Sequence, residues 1–132
     1  MAIVSPPVQL ARQIPDWQQQ LQQAISDPLY LLQILKLEHL SQSLSDVAAE
    51  QFRLRVPLAY AARMRRGDAH DPLLRQVLPI RDEEVAASGF SDDPVADLGY
   101  SKTPGLIHKY HGRVLLIVTG GCAINCRYCF RR

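Results

Sequence analysis

All three cysteines of the chain, Cys122, Cys126 and Cys129, fall inside one eight-residue window that follows an aliphatic run. An odd number of thiols cannot close into a complete disulfide framework. The spacing C-x3-C-x2-C sets three soft donors on a single loop. Arg113 to Thr119 reads as the one strong strand, and its near-continuous aliphatic run predicts burial on both faces, as in a parallel sheet or barrel. Gly120-Gly121 ends it, so the cysteines are expected at a strand's C-terminal end, where α/β sheets and barrels keep their sites. Three readings stand. A [4Fe–4S] cluster on three thiolates would leave one iron open to a small molecule. A structural zinc could take His108 or His111 as fourth ligand, although zinc ligands usually come in two short knuckles. Three buried cysteines could also act as small hydrophobes. Coincidence in one window favours the cluster. The window ends three residues before Arg132, so the chain is expected to be an N-terminal piece of a longer protein.

Upstream, the sequence is punctuated as a series of short helices. Trp17, Leu21, Ala24 and Ile25 recur on one helical face after Pro15. Asp27-Pro28 is a cap followed by a proline pre-set for the first turn, and Leu31, Leu32, Leu35 and Leu37 then face inward. Ser43 or Ser45 caps a third helix carrying Val47, Ala48, Gln51 and Phe52. Pro57 opens a fourth over 58–66, closed by Gly67. Asp71-Pro72 repeats the cap for a fifth, holding Leu73, Leu74, Val77 and Leu78 and stopped by Pro79.

The fold class is therefore α/β, in three parts. Residues 1–80 form a helical region, 81–101 an acidic linker, and 102–132 begin the core that bears the cysteines. Asp82, Glu83, Glu84, Asp92, Asp93 and Asp97 gather in the linker; beyond it Lys102, Lys109, Arg113, Arg127, Arg131 and Arg132 have no acidic neighbours in sequence. The overall balance of 15 basic against 13 acidic residues disfavours a nucleic-acid binder driven by bulk charge. With 47% hydrophobic residues, the chain has the apolar content for a core rather than for disorder. No apolar stretch approaches the ~20 residues of a membrane span. Met1 to Leu10 lacks the basic start and apolar run of a signal peptide, so a soluble, cytoplasmic protein is expected.

Cys-Ala-Ile-Asn-Cys-Arg-Tyr-Cys (122–129) resembles the C-x3-C-x-aromatic-C motif of radical S-adenosylmethionine enzymes. Pro-Gly-Leu-Ile-His-Lys-Tyr (104–110), Arg113 and Cys-Phe-Arg-Arg (129–132) resemble, more narrowly, the lysine 2,3-aminomutase family. Ala123, Tyr128 and Phe130 are similar to the branch that makes β-lysine for elongation factor P, where the free-lysine branch tends to carry Ser, His and Thr. Leu-Arg-Val-Pro, Arg-Met, Gly-Asp and Asp-Pro-Leu-Leu-Arg-Gln-Val-Leu, within 54–78, point the same way.

The resemblance implies the first strand and cluster loop of a partial radical-S-adenosylmethionine barrel. It implies an isomerase that moves the amine of L-lysine from C2 to C3 with a [4Fe–4S] cluster, S-adenosylmethionine and pyridoxal 5′-phosphate. Cys122, Cys126 and Cys129 would ligate the cluster, and Tyr128 would lie against the adenine. Arg131 would pair with the substrate carboxylate, a task suited to a planar fork. Tyr110 and Arg113 would stand beside pyridoxal phosphate, Lys109 near its phosphate, and Asp93 would salt-bridge Arg113. The lysine that holds pyridoxal phosphate is expected beyond Arg132, so the fragment alone is expected to be inactive. A flavodoxin or ferredoxin as reductant and a homo-oligomeric assembly are the expected partners, with no direct nucleic acid and no membrane. Glutamate is the alternative substrate. A different class of function also fits Arg53, Arg55, Arg63, Arg65 and Arg66: a basic helical module docking an acidic partner.

Overall fold

A computed structural model describes residues 16–91 and 93–129. They fall into two compact units. One comprises residues 16–85 together with Ala123–Tyr128; the other comprises residues 86–91 and 93–122 with Cys129.

The helical unit is built of short helices, most of them started by a side-chain cap. Asp16 Oδ1 accepts from the Gln18 and Gln19 amides and opens α1 (Trp17–Gln22). Asp27 and Pro28 start α2 (Pro28–Leu35), which ends at Lys36 in the left-handed region (φ 58°). Ser45 caps α3 (Asp46–Gln51), its Oγ accepting from the Ala48 amide at 2.8 Å and donating to Glu84 Oε1. After Pro57 come α4 (Leu58–Ala61) and, from Asp71, α5 (Pro72–Arg75).

These helices are shorter than their apolar periodicity predicts, and the reasons are visible. The α1 pattern runs on to Ile25, but Ile25 leaves the helix to make a two-bond bridge with Val56 (2.8 and 3.0 Å). Trp17, expected on the inner face, is exposed. Helix α4 ends after one turn and the chain winds through turns to Gly67 (φ +75°), whose amide donates to Leu35 O at 2.7 Å. Leu31, Leu32, Leu35, Leu37, Leu74 and Val77, placed inside by their periodicity, are fully buried together with Val56.

Asp71 holds two segments at once. Only 2% exposed, it accepts from the Leu73 and Leu74 amides through Oδ1 and from the Arg65 amide through Oδ2 at 3.0 Å. Asp71→Ala strands buried donors and should lower unfolding free energy by about 3 kcal/mol. Asp16→Ala, at an exposed helix end, should cost about 1 kcal/mol or less. Urea melts of the two variants check the contrast.

In the other unit, β1 (Leu106–Tyr110) and β2 (Arg113–Leu116) form an antiparallel hairpin with Ile107 opposite Leu115 and Tyr110 opposite Arg113. Gly112 (φ +74°) makes the turn. The strand expected at 113–119 is thus present over 113–116, but its partner is antiparallel. A two-residue connection allows nothing else. Its side chains are exposed rather than buried on both faces, Val118 beyond the strand reaching 84%, because no further layer covers them among the described residues.

Candidate functional site

The loop that bears Cys126 is fastened to the helical unit residue by residue. Ile124 packs against the apolar core. The Asn125 amide donates to Arg55 O at 3.2 Å, and its side-chain Nδ2 donates to Arg53 O at 2.9 Å. The Arg127 amide donates to Gln76 O at 2.7 Å.

The Arg127 side chain carries most of the attachment. Its guanidinium straddles the Glu83 carboxylate, with Nε 2.9 Å from Oε1 and Nη2 2.6 Å from Oε2. Nη2 also donates to Ala48 O at 2.9 Å and Nη1 to Phe52 O, carbonyls at the C-terminal end of α3. The guanidinium lies 5.6 Å from the centre of the Phe52 ring. Burial to 7% exposure is tolerable because at least four of five donors and the charge itself are answered.

Arg127 reads in sequence as one of a run of basic residues without acidic company. In space its partner is Glu83, 44 residues upstream. No local spacing announces such a pair. The one available signal is its position between two of the clustered cysteines.

The three thiols are free, with Cys122 exposed and Cys126 and Cys129 half-buried. Tyr128 is 72% exposed. The Tyr60 phenol, which donates to Gln76 Oε1 at 3.3 Å, is held above its usual pKa by burial, with Tyr128, Cys126 and Asp71 adding to the effect. Tyr60 thus faces the same loop, and it was not among the residues singled out from sequence. Phe130, Arg131 and Arg132 lie outside the described residues, and with them the expected carboxylate-binding Arg131.

Among the described residues no three His, Cys, Asp or Glu side chains gather as ligands of a single ion, and His108 and His111 are exposed. Three free thiols on one loop remain the donor chemistry of an iron–sulfur cluster.

In the hairpin unit, Lys109, Tyr110 and Arg113 meet around a cavity of about 490 Å³, with Val95, Asp97, Ile107, Val114 and Leu115 completing its lining. Lys109 Nζ pairs with Asp97 Oδ1 at 3.2 Å, donates to Val95 O, and stands 5.8 Å from the Tyr100 ring centre. Arg113 stacks on Tyr110, its cross-strand neighbour, at 4.9 Å. The cavity offers two cations, an aromatic face and an apolar wall.

The expected Asp93–Arg113 salt bridge is not formed. Asp93 instead accepts from the Asp97 and Leu98 amides at 2.8 and 3.1 Å, so its carboxylate is used to close the turn before Leu98–Tyr100. The acid that reaches the cavity is Asp97, and it serves Lys109.

Of the arginines that suggest a docking face, Arg55 turns inward to Leu21 O at 3.1 Å and Arg65 pairs with Asp68 at 3.3 Å. No helix of the described residues is long and apolar enough to cross a membrane.

No protein-family model matches the chain. Among known proteins, it is 51% identical over 118 residues to an L-lysine 2,3-aminomutase of Escherichia coli, covering 89% of this chain and 34% of that protein. It is 40% identical over 129 residues to the L-lysine 2,3-aminomutase of Haemophilus influenzae, covering 98% of this chain and 38% of the relative. With that of Clostridium subterminale the identity is 29% over 117 residues. The chain is similar to L-lysine 2,3-aminomutases over most of its own length and spans about a third of the length of these relatives.

Proposed function

We propose that the chain supplies the cluster-binding loop and part of the cofactor pocket of a cytoplasmic lysine 2,3-aminomutase, acting on L-lysine in the branch that serves elongation factor P. The observation that supports this best is the C-x3-C-x2-C spacing of three free cysteines, with Cys126 on a segment anchored to the helical unit, in a chain 51% identical to an aminomutase. The strand from Arg113 and the cysteine loop after it are read as the start of a radical-S-adenosylmethionine barrel. A flavodoxin or ferredoxin is the expected electron donor.

When bound, the cluster with S-adenosylmethionine and pyridoxal phosphate supplies radical generation and a path for the migrating nitrogen. Cys122, Cys126 and Cys129 hold the cluster as thiolates. Ile124, Asn125 and Arg127 fix the backbone between the first and third of them. Tyr128 presents its ring for the adenine, and Arg131 the fork for the lysine carboxylate. Lys109 and Arg113 meet the phosphate and Tyr110 the ring of pyridoxal phosphate, with Asp97 orienting Lys109.

Anaerobic assay of the whole enzyme tests this reading. It should cleave S-adenosylmethionine and form β-lysine from L-lysine; β-glutamate from L-glutamate instead would reassign the substrate, and no cleavage with either would refute the reading. Arg113→Ala should weaken pyridoxal-phosphate binding by at least about tenfold, through loss of a charge-assisted contact. Titration of bound pyridoxal phosphate by absorbance measures it.

A further inference from the structure

We propose that Glu83 and Arg127 are positioning residues, through which the helical unit sets where Cys126 and Tyr128 stand; this rests on the reading of the cysteine loop as a cluster binder. The carboxylate comes from a short helical turn, Arg81–Glu84, and the carbonyls from the end of α3. A residue flanked by Cys126 and Tyr128 is thus locked to two segments distant in sequence.

The lock acts by shape rather than by charge. Glu83 lies 2.6 Å from the guanidinium and neutralises it, so the pair delivers little net field to the neighbouring thiolate. A lysine at 127 would keep the charge but could not reach a carboxylate and two carbonyls together. The loop has two further reporters of its own attachment: the Asn125 and Arg127 amides, bonded to Arg55 O and Gln76 O. Both should exchange slowly only while the lock is closed.

The test uses two variants, Glu83→Gln and Arg127→Lys, and two readouts. In the metal-free chain, each variant should speed hydrogen exchange at the Asn125 and Arg127 amides by at least about tenfold. Exchange at Ile25 and Val56, whose amides bond to each other's carbonyls in the core, should not change. In the anaerobically iron-loaded whole enzyme, both variants should lose iron to a chelator faster than wild type.

Glu83 is partly exposed and Gln is nearly isosteric with it, so Glu83→Gln keeps the test alive if Arg127→Lys does not fold. Unchanged exchange in Glu83→Gln overturns the proposal, as does faster exchange with unaltered iron loss. An Arg127→Lys chain that behaves as wild type while Glu83→Gln does not would also overturn it, since charge alone would then suffice. Iron bound equally by a chain lacking all three cysteines would count against the cluster reading itself, independently of the exchange result.

Discussion

Cys126→Ala in the whole enzyme is expected to remove the iron–sulfur absorbance and S-adenosylmethionine cleavage together. A four-iron cluster on three thiolates has no spare protein ligand, so loss of one leaves a second iron unheld. Among the three, Cys126 is the informative choice. Its neighbours Asn125 and Arg127 are both bonded to the helical unit, so the backbone there should stay in place when the thiol is gone. Cys126 is also absent from the apolar core, so the melting of that unit should be unaltered. The expected result is 5′-deoxyadenosine at background, iron reduced, and an unchanged thermal transition. Retained cleavage in a folded Cys126→Ala protein would refute the assignment. A basic docking module, by contrast, would be indifferent to this substitution.

The parts of this arrangement that sequence made legible are those encoded by neighbours along the chain. Asp27-Pro28 and Asp71-Pro72 announce helix starts because cap and proline act within one turn, and both caps are formed. Leu31, Leu32 and Leu35 were placed inside by their spacing and are buried. Ile25 was also rightly placed inside, but by a bridge to Val56, not by the helix its spacing suggested. Lys109, Tyr110 and Arg113 came from resemblance and do line one cavity, since strand pairing sets Tyr110 against Arg113.

What escaped is long-range and polar. Arg127 and Glu83 are 44 residues apart, and neither position carries a pattern that names the other. Asp93 and Asp97 lie four apart in the same acidic stretch. Which of them meets a cation depends on which carboxylate the local turn consumes, and the turn took Asp93. The strand at 113 was recognised from its aliphatic run, but such a run does not disclose the direction of its partner.

The chain by itself is expected to give a cooperative, helical circular-dichroism melt and no conversion of L-lysine to β-lysine. Twelve buried apolar residues in the helical unit supply a core, each large side chain contributing about 1.5–3 kcal/mol. The segment 123–128 packs within that unit and should survive with it. The hairpin is less secure, because two strands are marginal alone and their unpaired edges invite association. Val114, Leu116 and Val118 stand exposed along it. Self-association on sedimentation should therefore appear, and Leu116→Lys with Val118→Lys should reduce it while leaving the melt of the helical unit in place. Iron uptake should be low and easily lost in air, because metal binding contributes folding free energy only where the surrounding site is organised. A stable four-iron cluster with β-lysine formation from these 132 residues would overturn this expectation. It would mean that the helical unit and hairpin already enclose the reaction, and that the other two thirds of an aminomutase's length serve something other than the chemistry.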